Sequence, residues 1–289
     1  MSNPVFNNSA VFGDPRARGN RAARQQQRGG TATYGASVPG ATGPVVEAST
    51  LDAMYGAPTA TTRDTGRLTY DDVIVKTGGL LALLVVVAAA TWNFAPGLWP
   101  LGAVVGLVLG LVNAFKKNPS PALIIAYTAA QGVFLGGISL AFQNMTVGAT
   151  GTAEPIVFQA VVATMATFGA ALFLFRSGKV RVTPKFTRWL MIAMVGYLAF
   201  ALVNFGLSFF VDSAGFGPLR GGWIGVAVGL FAVGLAAASL IMDFDSIKRG
   251  VEQGVPAKFA WSAAFGLIVT LVWLYLEILR ILAILRGSD

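Results

Sequence analysis

The chain has 289 residues, of which 55% are hydrophobic and 12% charged, about half the charged share of a soluble domain. So few charges cannot hide this much apolar surface in water, which makes the bilayer the natural solvent and one membrane domain the simplest organisation. With no Cys and no His, disulfides, thiolate metal sites, cysteine nucleophiles and imidazole bases are excluded; the net charge of +8 sits in a tail and in loops, where it sets orientation and attracts anionic lipid rather than nucleic acid.

Residues 1–69 are rich in Gly, Ala, Thr, Arg, Gln and Pro and lack apolar periodicity, so a disordered polar tail is expected there. Arg16, Arg18, Arg21, Arg24 and Arg28 form a basic stretch within it, read as a solvated segment that reinforces orientation. No apolar signal core follows Met1, so the first span is expected to serve as its own insertion signal. Tyr70, Asp71 and Asp72 lead into the first helix, with acids where a helix N-terminus favours them.

Seven apolar runs follow, approximately Ile74 to Phe94, Leu98 to Phe115, Pro121 to Phe142, Ile156 to Phe175, Trp189 to Val211, Trp223 to Met242 and Phe259 to Leu285. Most approach or exceed the roughly 20 residues that cross about 30 Å of hydrocarbon; the second is the shortest. Pro, Gly or clustered charges break the chain between them, as in Ala95-Pro96-Gly97, Lys116-Lys117-Asn118-Pro119 and the charged stretch Asp243 to Lys258. An all-α integral membrane bundle of seven helices is the predicted fold class. Basic residues crowd the exits of the even-numbered spans, whereas the alternate loops hold only Arg220. The positive-inside rule then predicts a cytoplasmic tail and an outside C-terminus in the plasma membrane. Glycines at four-residue spacing, Gly102, Gly106 and Gly110 in the second span and Gly221, Gly225 and Gly229 in the sixth, predict close helix packing inside the monomer.

Of the 13 acidic residues, Glu277 alone lies inside a long apolar run, while Asp243 and Asp245 end the sixth. A carboxylate near the bilayer centre costs a few kcal/mol on insertion scales, so these residues are expected to face the bundle interior. Arg280 is three residues from Glu277 and can neutralise it locally, which would be a purely structural role. Asp243 and Asp245, two apart, fall on different helix faces, and Asp243 is expected to be the inward one. Were Asp243 to meet another carboxylate in a partly dry cavity, the pair would share a proton near physiological pH. A deprotonated set of hard oxygen ligands would also attract Ca²⁺.

Ile241-Met-Asp-Phe-Asp-Ser-Ile-Lys, Gly250-Val-Glu-Gln-Gly-Val-Pro-Ala-Lys and Trp261-Ser-Ala-Ala-Phe-Gly-Leu-Ile-Val-Thr-Leu-Val-Trp-Leu-Tyr-Leu-Glu-Ile-Leu-Arg resemble the bacterial, YccA-like branch of the Bax inhibitor-1 family. Asn118-Pro-Ser-Pro followed by Ala126-Tyr-Thr-Ala-Ala-Gln-Gly-Val-Phe-Leu-Gly-Gly-Ile-Ser resembles its third helix. The resemblance runs from the first span to the end and leaves out the tail. It implies six helices around a central last one, a pH-sensitive calcium leak governed by acids on the last two helices, and a part in the stress response. By motif, Asp243 matches the family aspartate of the sixth helix and Glu277 the acid of the last. The chain differs in having Glu277 in place of an aspartate, Gln131 in place of a glutamate, no arginine in the early spans and a longer stretch between the two acids. That extra length predicts different depths for the carboxylates, roughly 10 Å or more apart.

The expected function is therefore a proton-regulated cation leak, with Asp243, Glu277 and Asp245 as sensing residues, Asp243 and Glu277 as Ca²⁺ ligands, and Ca²⁺ as the permeant ion. The alternative is a non-transporting membrane regulator, for instance of a membrane protease, working through the bilayer and membrane proteins. No enzyme activity and no cofactor are expected, since the usual dyads and phosphate-cradling loops are missing.

Overall fold

The computed structural model describes residues 66–150, 155–180, 182–211 and 217–287. Seven helices long and apolar enough to cross a membrane occupy these residues. They are α1 (Tyr70–Phe94), α2 (Trp99–Phe115), α3 (Pro121–Thr150), α4 (Ile156–Arg176), α5 (Pro184–Leu207), α6 (Gly222–Glu252) and α7 (Ala260–Gly287), with short 3₁₀ turns at Pro96–Leu98 and Ala257–Phe259. Their outward faces carry large exposed hydrophobics such as Val85, Leu107, Phe158, Ile192 and Ile224. In water that surface would drive aggregation, and in lipid it is the expected outer coat.

Helix α7 is the axis of the bundle. In its spanning segment 72% of the residues are buried, against 11% in α2 and in α5. It packs against α1, α3, α4 and α6, whereas α5 lies at the periphery and reaches the rest mainly through α6. Leu267, Ile268, Leu271, Leu274, Ile278 and Leu279 line its buried surface together with Leu240 of α6 and Ile124 of α3. Phe244 stacks edge-on against Phe168 at 5.5 Å, and Tyr127 against Phe265 at 4.9 Å.

Glycine sets how closely the helices approach. A Cβ on Gly102 would come 2.6 Å from the backbone nitrogen of Phe134, and one on Gly106 2.8 Å from Gln131 Nε2. In α6, a Cβ on Gly229 would stand 2.5 Å from Ile281 Cγ1, and one on Gly225 would meet the Arg220 carbonyl oxygen at 2.1 Å and, across the seam, Ile284 Cδ1 at 3.0 Å. Both seams run between helices of one chain, as the four-residue spacing predicts. Gly221 is the exception, since nothing lies within 4 Å of it.

Several boundaries differ from those read in the sequence. Helix α1 begins at Tyr70, where Thr69 accepts from the Asp72 amide at 3.1 Å and Asp72 accepts from the Thr69 amide at 3.3 Å. This reciprocal cap contributes about 1 kcal/mol. Helix α6 does not end at Met242 but continues to Glu252, a length of 31 residues or about 46 Å. The charges after Met242 pair along the helix, Arg249 with Asp245 at 2.8 Å and Lys248 with Glu252 at 3.8 Å. A charge cluster ends the lipid-facing stretch without ending the helix, because a helix leaving the bilayer loses nothing by carrying polar residues. It stops at Gly254, whose φ of +64° favours glycine.

Most of the expected tail, residues 1–65 with the basic stretch Arg16 to Arg28, lies outside the described residues. Its last part, expected to be disordered, is docked. Leu68 is buried, its amide donates to the Val255 carbonyl at 2.7 Å, and the Ala257 amide donates to the Gly66 carbonyl at 2.8 Å. Leu68 supplies the one large aliphatic side chain that can anchor this strap to the α6–α7 loop.

Candidate functional site: two carboxyl sites on the central helix

Glu277 sits in the half of α7 nearer its C-terminus and is 5% exposed. Because α7 is central, the carboxylate faces protein on every side and must find donors there. Four groups supply them. Arg280, three residues along the same helix, donates Nη2 to Oε2. Arg220 donates Nη2 to Oε1 at 2.6 Å, the Tyr197 hydroxyl donates to the same oxygen, and Trp273 Nε1 lies 3.3 Å from it. Arg220 also donates to the Tyr197 hydroxyl at 2.5 Å and places its guanidinium 5.7 Å from the Tyr197 ring centroid.

The pieces come from three places. Tyr197 stands on α5 and Trp273 one turn before Glu277, while Arg220 is carried on the turn that enters α6. Asn204 of α5 holds that turn by accepting from the Leu219 amide at 2.9 Å. Gly217, with φ +83°, lies so close to Asn204 that a Cβ would meet its side chain. The electrostatic sum follows directly: one carboxylate against two guanidinium groups leaves the cluster with a charge of about +1. Glu277 is thus fully engaged, and a cation approaching this end of α7 meets net positive charge.

Asp243 meets α7 at a different level and in different company. The Thr270 hydroxyl lies 2.9 Å from Asp243 Oδ2 and 3.1 Å from the Gly266 carbonyl. Among the described residues no cation pairs with Asp243. The hydroxyl has one proton and can both donate and accept, so it suits either form of the acid. It donates to an ionised Asp243. A protonated Asp243 can donate to it instead, and the Thr270 proton then turns to Gly266.

The structure brings some of the expected residues together and separates others. Glu277 and Arg280 form the predicted ion pair. Asp243 points inward and Asp245 pairs with Arg249, so the two aspartates diverge as their spacing predicts. The shared-proton pair of Asp243 and Glu277 does not assemble. Asp243 contacts α7 at Thr270, and Glu277 lies seven residues further, about 10 Å along the axis. Each carboxyl has its own partners, so the two do not form a common Ca²⁺ ligand set, and no group of three or more acidic residues suited to a metal occurs among the described residues. Gln131 is packed in the α2–α3 seam.

Sequence reading misses Arg220, Tyr197, Trp273 and Thr270. Arg220 carries a signal, being the lone basic residue in the loops of the charge-poor end. Trp273 and Thr270 are one turn and two turns before Glu277, a spacing that puts them near its face. Tyr197 has no such signal, because only the folded bundle brings α5 to α7.

The family model described as Bax inhibitor 1 like matches residues 3–287. That match takes in the N-terminal tail, which the motif resemblance left out. A search of curated proteins returned no match. Seven apolar helices, the last of them buried among the others, and a match over nearly the whole length agree: the chain belongs to the Bax inhibitor 1-like family of multi-pass membrane proteins.

Proposed function

We propose that this protein is a proton-regulated leak pathway for cations, Ca²⁺ foremost, with Asp243 as the proton-responsive group and the Glu277 cluster as the closure. The observation that carries this reading is the contrast between two carboxyls on one central helix. One is neutralised twice over, and the other is held by a hydroxyl that fits both protonation states. A cluster of net charge +1 across the path repels a divalent cation, so closure is electrostatic as well as steric. Arg220 is the movable element because it rides on a turn, whereas Arg280 is fixed to α7 beside its partner. Withdrawing Arg220 would leave Glu277 and Arg280 balanced, removing the excess positive charge. An ionised Asp243 offers the hard oxygen ligand that Ca²⁺ prefers, and a protonated one does not.

The basic residues at the α6–α7 loop, the α2–α3 loop and the α4–α5 loop support a cytoplasmic placement of the Asp243 end, in a plasma membrane. The test is calcium entry into liposomes containing the purified full-length chain, read with an entrapped indicator between about pH 6 and 8. Flux above that of empty liposomes, changing with pH, is the expected result. Flux no greater than that of empty liposomes at every pH would overturn the reading and favour a non-transporting membrane regulator.

A further inference from the structure

A cavity of about 600 Å³ lies between α1 and α4, floored by α3 and α7. Its volume falls in the range of small-molecule sites. Four features identify what it would hold. Its mouth is formed by Val85, Phe158, Val161 and Met165, all exposed on the outer face of the bundle where lipid chains lie. Its walls extend along α4 from Pro155 to Met165 and along α1 from Leu81 to Asn93, about 15 to 18 Å. That length matches one leaflet, half of the roughly 30 Å hydrocarbon core.

The polarity is graded in the same direction. Asn93, Gln143 and Pro155 line the end where α1 and α3 finish and α4 begins, at the level of the membrane interface. Towards the bilayer centre the lining becomes mostly aliphatic, with Leu81, Leu84 and Ile268, and the Thr164 hydroxyl there donates to the Ala160 carbonyl of its own helix at 2.7 Å. Among the described residues lining it there is no Lys, Arg, Asp or Glu. With no cation among its described lining residues, this end suits the uncharged ester region of a lipid whose charged headgroup stays outside the cavity; Asn93 Nδ2 donates to the Ala89 carbonyl at 2.8 Å and keeps a second N–H. The floor is firm, since the Ser139 and Tyr275 hydroxyls close on each other at 2.7 Å and leave no unpaired polar group there.

We propose that this cavity is a lateral binding site for one acyl chain of a bilayer phospholipid, entering between α1 and α4 from the leaflet at the Asn93 end, with its ester group beside the amides. The site does not depend on transport. Its floor residues Ile268, Leu271, Val272 and Tyr275 lie on the stretch of α7 between Thr270 and Glu277 or directly beside it. A bound chain would therefore brace the segment that joins the two carboxyl sites.

The test uses the full chain in nanodiscs of phosphatidylcholine doped with phosphatidylcholine that carries a diazirine in one acyl chain. After illumination, crosslinks are mapped by mass spectrometry. Labelling of α4 at Phe158, Val161 and Met165 should exceed that of Ile192, Val195 and Leu198 on the α5 face, which is more exposed on average, by about tenfold. Ala89→Trp and Val161→Trp, which fill the cavity from exposed positions, should bring the α4 labelling down to the α5 level. Equal labelling of the two faces in the unaltered chain would overturn the site, as would α4 labelling that both tryptophan variants leave unchanged. The comparison within the unaltered chain decides the matter even if a variant fails to fold.

Discussion

Asp243 and Glu277 are both carboxyls held against the same helix, about two turns apart, and the bundle treats them in opposite ways. Around Glu277 the packing is tight and the carboxylate is fully paired, with two guanidinium groups, a phenol and an indole converging on two oxygens. Around Asp243 the one hydrogen-bond partner among the described residues is a hydroxyl, and there is room on the Gly266 side. A Cβ on Gly266 would find only Asp243 Oδ1, at 3.9 Å. A buried charge becomes a structural part when counter-charges surround it, and stays responsive when a neutral group that can donate or accept is its partner. Which acid does which job is therefore set by its neighbours, and both belong to the same residue class.

Breaking the tight end should have the largest effect. Glu277→Gln leaves Arg220 and Arg280 buried with no carboxylate, so thermal unfolding in detergent should show a loss of about 3–5 kcal/mol. Gly229→Val comes next, because its side chain would press on Ile281 beside Arg280. A loss of about 1–3 kcal/mol is expected in the same assay. A variant as stable as the parent would show that α6 and α7 are less closely seated than the glycine seam requires.

At the loose end the expected effects shrink. Asp243→Asn keeps a partner for the Thr270 hydroxyl, so its stability should stay within about 1 kcal/mol of the parent while the site can no longer change charge. The smallest effect belongs to Gly266→Ala. Ordinary contact distance and better helix propensity should make it neutral or stabilising by up to about 1 kcal/mol. A marked loss in either variant would mean that the Asp243 end is as tightly determined as the Glu277 end, and the contrast would fail.

Much of this was legible in the chain itself. Hydrophobic run lengths, Pro and Gly punctuation and the glycine spacing locate the seven helices and the seams, since lipid demands continuous helices and close approach demands small residues. The Glu277–Arg280 pair was legible for the same local reason, three residues on one helix. Helix ends were less so: α6 runs ten residues beyond Met242 because charge marks the edge of lipid and not the edge of the helix. The partners of the carboxyls were the least legible. Arg220 and Tyr197 reach Glu277 across 57 and 80 residues, and Thr270 reaches Asp243 across 27, all through tertiary packing that no local pattern encodes.

The division of labour between the two sites is tested most directly by calcium flux into proteoliposomes as a function of pH, comparing the parent with Asp243→Asn and Arg220→Gln. Arg220→Gln should raise flux at every pH and keep its pH dependence, because it opens the closure and leaves the responsive acid in place. Asp243→Asn should hold flux at one level, that of the parent at the acid end, because the amide imitates the neutral acid. Flux that still varies with pH in Asp243→Asn, or that loses its pH dependence in Arg220→Gln, would contradict the assignment.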